Sequence, residues 1–318
     1  MKKIVAIVLI LALVLALAAC GPDEAEEPYE EIPAMSMPDE NMRQTVLYFE
    51  DDAGYIVPVM KEIEWVEGIG AAAVSQLKAN PNADSGMAYL GLNPILAENT
   101  EISLNIKEGI ATIALSEGAI AADDAVSEMN KVVAVVNTLT EFPTVDSVQI
   151  RQAGAADTLP AGTDISAAFS AFDLNVESAV DDENLAEASK VMLYFENAAG
   201  TAIVPVTKYI GGAADAFAAM NELVRGPGDG ALKNLFPDGS ELLGVDVGDD
   251  GTASVNFSGA FNKIGEDAHK EKMLMKCIML TLTQFDNIDA VRILVDGKEY
   301  ADSATETMAV PQFVNTMS

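Results

Sequence analysis

Residues 45–154 and 190–297 of this chain are two copies of one unit, so whatever fold the sequence specifies it must specify twice. The first copy opens Leu47-Tyr48-Phe49-Glu50 and reaches Gly54 and Ile56-Val57-Pro58-Val59. The second opens Leu193-Tyr194-Phe195-Glu196 and reaches Gly200 and Ile203-Val204-Pro205-Val206, one extra residue in its turn keeping the register. The copies also end alike. Thr138-Leu139-Thr140-Glu141-Phe142 with Val145, Val148 and Ile150 matches Thr281-Leu282-Thr283-Gln284-Phe285 with Ile288, Val291 and Ile293. Chemistry confined to one copy is therefore weak ground for a function.

Each copy predicts the same order of elements. A β-branched and aromatic run (46–49; 191–195), a Gly-bearing turn and a second run (56–60; 202–206) give a hairpin. An alanine-rich helix follows, 71–79 or 213–224, stopped by Asn80-Pro81 and Gly226-Pro227. A second hairpin spans 102–106 with 110–115, and 242–247 with 252–257, its turns holding Gly109 and Gly251 for positive φ. A longer helix, 124–141 or 268–284, and a last strand, 147–151 or 290–295, complete the unit. The expected class is α+β: two tandem copies of a two-helix domain with a mixed β-sheet, ordered hairpin, helix, hairpin, helix, strand.

The start of the chain has a different character. Met1-Lys2-Lys3 precedes an apolar run from 4 to 19 that closes Leu17-Ala18-Ala19-Cys20, which is the pattern of a bacterial lipoprotein signal with Cys20 as the lipid-attachment residue. Residues 21–43 carry eight acids among Pro22, Pro28, Pro33 and Pro38, a self-repelling tether that reaches roughly 70 Å at about 3.1 Å per residue. The expected organisation is a signal at 1–20, the acidic Pro-rich tether at 21–43, a first domain at 44–155, a linker or coupler at 156–189, a second domain at 190–300 and a tail at 301–318; the alternative is that Leu159 to Asn175 finish the first domain. The chain would sit on the extracytoplasmic face of the cell membrane, held by the lipid on Cys20.

Charge and composition exclude several functions. With 50 acidic and 18 basic residues the formal net charge is −32, which leaves no basic face for nucleic acid and none for anionic headgroups. Cys20 and Cys277 are the two cysteines, and with Cys20 taken by lipid no disulfide framework remains. No clustered Cys or His points to a metal, and no cofactor motif stands out.

The inventory for catalysis is thin, and the chain reads as a non-enzyme. His269 is the single histidine, its counterpart is Val126, and it reads as an exposed helix-start residue. Cys277, with Met273 and Leu280 at helical spacing, reads as core. Asp51-Asp52, Asp249-Asp250 and Asp181-Asp182-Glu183 fall at turns or in the linker and read as solvated acids. The 246–251 stretch lacks the spacing of a calcium loop, and the glycines of 226–230 follow a helix rather than a strand, unlike a phosphate cradle. Trp65, the single tryptophan, lies between first hairpin and first helix, where the second copy has Tyr209. It reads either as a half-buried packing residue or as a candidate partner contact rimmed by Glu62, Glu64 and Glu67.

As a set, the Leu-Tyr-Phe strands, the Val-Pro-Val runs, 223–227 (Leu-Val-Arg-Gly-Pro), 235–243 (Leu-Phe-Pro-Asp-Gly-Ser-Glu-Leu-Leu) and Val255-Asn256-Phe257-Ser258 resemble the GerMN domain of sporulation and germination lipoproteins. The second copy is the closer match; the first departs at Leu92-Asn93-Pro94 and has Asn80-Pro81 for the Gly-Pro. The resemblance implies a fold similar to the ring-building motif of secretion-system components. It further implies a role in assembling an envelope-spanning complex, with envelope proteins as partners, ring-building-motif proteins among them. The function expected is that of a membrane-anchored, non-enzymatic envelope scaffold or assembly factor in sporulation or spore germination, acting through protein–protein contacts. The alternative is a ligand-binding lipoprotein that takes a wall glycan or small solute in the groove between the domains.

Overall fold

The hairpin at the front of each copy forms where its turn chemistry allows it. In a computed structural model, which describes residues 41–80, 85–228, 230–300 and 310–317, β1 (Met42–Asp51) and β2 (Ile56–Glu64) pair antiparallel across the turn holding Gly54 at φ 87°. The signal and most of the tether, with Cys20, lie outside the described residues. Met42 and Arg43 are an exception and a correction: they extend β1, Met42 opposite Glu64 and Arg43 opposite Ile63, rather than ending the tether. The polar character of Asn41 to Gln44 hides a strand end whose bonds come from the long partner strand.

The rest of the first repeat follows as α1 (Ile69–Ser75), α2 (Ser85–Leu90), β3 (Leu92–Asn93), β4 (Ile102–Lys107), β5 (Ile110–Leu115), α3 (Ala125–Thr140) and β6 (Ser147–Gln152). Next come β7 (Glu177–Ser178), β8 (Ser189–Asn197), β9 (Ile203–Ile210), α4 (Ala216–Arg225), β10 (Leu232–Lys233), β11 (Leu242–Val247), β12 (Thr252–Phe257), α5 (Ala268–Leu282), β13 (Ala290–Val295), β14 (Lys298–Glu299) and β15 (Thr316–Met317). The expected order of hairpin, helix, hairpin, helix and strand is present in both repeats.

One expectation needs refining. Each repeat holds two hydrogen-bonded sheets, not one: in the first, β15-β2-β1-β3 and β4-β5-β6; in the second, β10-β8-β9-β7 and β11-β12-β13-β14. The long helix explains the division. Val132, Val133, Ala134, Val135, Val136 and Leu139 are all buried, so α3 is apolar around most of its girth and must be covered from several sides. It touches β1 and β2 in one sheet and β6 in the other. Between β5 and β6 it forms the crossover that makes those strands parallel, Ile113 opposite Ile150, as α5 does between β12 and β13. Asp124 and Asp267 start these helices, each accepting two backbone N–H groups of the first turn.

The first helices differ between copies. α4 is capped by Asp215, which accepts from Ala218 N, whereas α1 starts at Gly68 without a side-chain cap, is three residues shorter and ends before the predicted 79. After α1 the first repeat inserts α2, which sequence periodicity did not mark because six residues are under two turns.

The segment expected as linker is largely built into the fold. Leu159, Ile165 and Leu174 are buried, Phe169 bridges to Val148, and the Glu128 carboxylate accepts from Ala161 N at 2.6 Å and Thr163 N at 2.8 Å. The same buried position in the second repeat, Glu271, accepts from Tyr300 OH at 2.7 Å. The expected tail departs further. Val310 precedes a stretch in which β15 pairs parallel with β2 of the first repeat, Thr316 opposite Met60, while β7 pairs parallel with β9 of the second, Glu177 opposite Lys208. Each repeat is thus finished by a strand from the segment that follows the other.

Candidate functional site

An asparagine sits at the head of each crossing strand, and the two make matching bonds. Asn175 Oδ1 accepts from Ile56 N at 2.8 Å, and its Nδ2 donates to Ile56 O and to Pro205 O. Asn315 Oδ1 accepts from Ile203 N at 2.8 Å, and its Nδ2 donates to Ile203 O and to Pro58 O. Ile56 and Pro58 are the first-copy equivalents of Ile203 and Pro205, so the Ile-Val-Pro-Val runs that mark the duplication are also its seam. The prolines explain the choice of side chain. Pro58 and Pro205 offer a carbonyl but no N–H, and an amide that donates twice and accepts once suits that edge. Sequence reading missed both asparagines, although the pairing of Leu174-Asn175 with Val314-Asn315 downstream of each copy was a signal to be found.

Around this seam Val46, Tyr48, Pro58, Met192, Tyr194 and Pro205 wall a cavity of about 240 Å³, with residues 312–315 along one side. That is below the 300–1,000 Å³ or so usual for small-molecule sites, and the groove for a glycan or solute is narrow. Tyr48 OH donates to Glu141 at 2.5 Å; burial first, and the Glu141 carboxylate second, push its phenol far up. Burial alone lifts Tyr194 to about 12. Both stay neutral, and Tyr48 donates rather than titrates.

The one histidine is where its helix position put it, and it has a partner that the sequence did not reveal. His269 Nε2 lies 3.1 Å from Glu196 Oε1, and Lys233 Nζ is 3.3 Å from Glu196 Oε2. The duplication decides what this is for. Glu50, the first-copy equivalent, takes Asn130 Nδ2 at 2.8 Å from the corresponding helix, so in both repeats this carboxylate ties the first strand to the long helix. Cys277 is buried in the core, where desolvation raises its thiol. Asp51 corrects the solvated reading of turn acids. It is 5% exposed, and its Oδ1 accepts from Ala53 N and Tyr55 N, closing the turn from inside. Asp250 keeps the expected exposed place and accepts from Thr252 N. Among the described residues no three His, Cys, Asp or Glu side chains converge as a metal site.

Trp65 follows directly on β2, and its backbone N donates to Asn41 O. It is 57% exposed, with Met42 and Val66 beside it in sequence or across the strand pair also exposed. The Arg43 guanidinium lies 5.4 Å from the Trp65 ring centroid and 5.5 Å from that of buried Phe142, so one cation fastens the indole to the body of the first repeat. The arrangement presents a large amphipathic ring, held by Arg43 and largely open to solvent, in a stretch where Glu62, Glu64 and Glu67 are exposed as well.

Comparison with known proteins agrees with the repeat. The family described as Germane, sporulation and spore germination, matches residues 46–158 and 192–301. The spore germination protein GerM of Bacillus subtilis (strain 168) is 29% identical over 288 residues, covering 86% of this chain and 78% of that protein. The solved tandem GerMN domains of the sporulation protein GerM from Bacillus subtilis superpose with a TM-score of 0.64 at 28% identity, over 87% of this chain and all of that one.

Proposed function

The chain belongs to the Germane family of sporulation and spore germination, and from that premise we propose that it is a non-enzymatic, lipid-anchored envelope scaffold or assembly factor that works through protein–protein contacts. The lipobox at Cys20 supports the anchor, and the acidic tether holds the paired repeats away from the bilayer. Envelope proteins are the proposed partners, ring-building-motif proteins among them. The observation that carries the contact role is Trp65: a tryptophan left 57% exposed at the point where the copies diverge most, and preorganised over Arg43. Large rigid aromatics that lose little entropy on docking are the usual anchors of small interfaces.

The test compares Trp65→Ala with the wild type in quantitative pull-downs from sporulating membranes, alongside thermal unfolding of both. The expected result is partner binding weakened by more than about 1 kcal/mol with the unfolding midpoint nearly unchanged. A variant that retains full binding after correction for any unfolding removes Trp65 from the interface. Turnover of peptidoglycan or a simple ester, abolished by one Asp or Glu substitution, would overturn the scaffold reading.

A further inference from the structure

The acidic balance of the chain hides one element of the opposite sign. Lys233, His269, Lys270, Lys272 and Lys276 of the second repeat stand where the first has Asn93, Val126, Ser127, Met129 and Val133, so every basic position here faces an uncharged one. The framework beneath them is shared: Glu196 matches Glu50, and the helix caps Asp267 and Asp124 match. Lys233, His269 and Lys270 border a cavity of about 570 Å³ at the head of α5. His269, Lys272 and Lys276 follow at spacings of three and four and share one face of that helix, with Lys272 exposed and Lys276 half-buried. The nearest acids are already engaged. Glu196 holds His269 and Lys233, Asp267 accepts from the first backbone amides of α5, and buried Glu271 accepts from Tyr300 OH; exposed Glu266 lies before the cap. Among the described residues Lys270, Lys272 and Lys276 make no ion pair and no side-chain hydrogen bond.

We propose that this face of α5 docks an acidic segment of a partner protein, its carboxylates set against Lys272 and Lys276. A group present in one repeat is weak ground for catalysis, but divergence over a shared framework is where a distinct contact is built. Charge complementarity selects the occupant. The line from His269 to Lys276 runs about 10 Å at 1.5 Å per residue, close to the screening length of about 8 Å at physiological salt. A short acidic segment laid along it feels these cations, while the acids elsewhere on the molecule are screened. An anionic bilayer or a long polyanion spreads past the stripe and meets the acids that give the chain its net charge of −32. The same net charge sets a second copy of this chain against the first. Desolvation lowers the Lys276 ammonium and Lys272 lowers it further, a cost that an arriving carboxylate relieves. Half-buried Met273, between the two lysines in sequence, adds apolar contact. This second surface presupposes the protein-contact reading but is independent of Trp65.

The probe is a fluorescent glutamate decapeptide, with a glutamine decapeptide as its neutral control, titrated at physiological salt into the full chain carrying Cys20→Ser. Wild type should bind the glutamate peptide and not the glutamine one. Lys272→Glu with Lys276→Glu should weaken that binding at least about tenfold, whereas Lys272→Arg with Lys276→Arg keeps it. Thermal unfolding is measured alongside; should the double reversal fail to fold, the exposed Lys272→Glu alone is read, with a several-fold loss expected. Ser127→Glu with Met129→Glu, at first-repeat positions matching Lys270 and Lys272, should leave the peptide affinity unchanged. Trp65→Ala should also bind the peptide as wild type does, which keeps the two contact surfaces separate. No binding of the glutamate peptide, or equal binding by the charge-reversed chains, overturns the proposal. Tighter binding of polyphosphate or of phosphatidylglycerol vesicles than of the peptide, lost in the same variants, also overturns it, because the stripe would then read phosphate rather than an acidic protein.

Discussion

Asp51 and Asn197 fill the same place in the two hairpin turns, and the difference between them is a pH experiment already half performed by the duplication. Asn197 Oδ1 accepts from Thr201 N and Ala202 N much as Asp51 Oδ1 accepts from Ala53 N and Tyr55 N. Desolvation raises Asp51 despite those amides. A carboxyl raised in the fold costs stability as pH climbs from its unfolded value, about 3.9, through the folded one. Asp51→Asn is therefore expected to match or exceed wild-type stability at neutral pH, with the advantage vanishing below the carboxylate range, as read from unfolding midpoints across pH. Glu128 has the opposite sign. Burial raises it, but the amides of Ala161 and Thr163 outweigh burial and hold it low, so its contribution is present above the unfolded value of about 4.3 and lost as pH falls. Glu128→Gln turns an amide N–H toward donors and should cost about 1–3 kcal/mol at neutral pH, a gap that closes in acid. Of the candidate site, the sequence located Trp65 by divergence between copies. Its exposure was not legible, because Arg43, which holds it, reads as tether until β2 is seen to extend that far.

At the scale of the element, legibility tracked length and periodicity. The second hairpins and the last strands agree with expectation to within a residue because both β faces and both turn signals are local. The glycines in those turns show how strict the local rule is. Gly251 has φ 76°, and a Cβ there would lie 2.7 Å from Asp289 Oδ2; Gly109 has φ 78° and meets Asp146 in the same way. In both copies the carbonyl of this glycine accepts from that aspartate's N–H, so the turn and the last strand are fixed together. Gly251→Ala is expected to cost about 1–3 kcal/mol in denaturant unfolding from the positive φ alone. Gly244→Ala, in the adjacent strand with open space around it, should stay within about 0.5 kcal/mol of wild type. Equal effects at the two positions would remove the turn argument. What length could not reveal were α2, β3, β7, β10, β14 and β15, since two-residue strands carry no alternation and draw their stability from distant partners.

At the scale of the whole molecule the duplication was plain in the sequence and its consequence was not. Two similar units in tandem predict two independent cores, and composition reads residues 156–189 as a linker or coupler, or 159–175 as the finish of the first domain, and 301–318 as a tail. Instead β7 and β15 cross over, and Asn175 and Asn315 each bond backbone groups of both repeats. The information is non-local: a single asparagine in a short polar stretch has no pattern until its three partners are brought to it. The arrangement makes a thermodynamic prediction. If the crossed strands couple the repeats, residues 41–318 unfold as one cooperative unit, with calorimetric and van't Hoff enthalpies in agreement. Asn315→Ala leaves Ile203 N and the Pro58 and Ile203 carbonyls without their buried partner, at about 1–3 kcal/mol for each unsatisfied group before relaxation. Asn175→Ala does the same to Ile56 and Pro205. Each single change should lower the midpoint while keeping one transition, because the other clasp still holds. The double change should split the transition in two, the calorimetric enthalpy approaching twice the van't Hoff value, since each repeat keeps its own helix-centred core. A double variant that melts in a single step would mean that contacts along β2 and β9 couple the repeats without the asparagines, and the clasp would then be a lock on register rather than on stability.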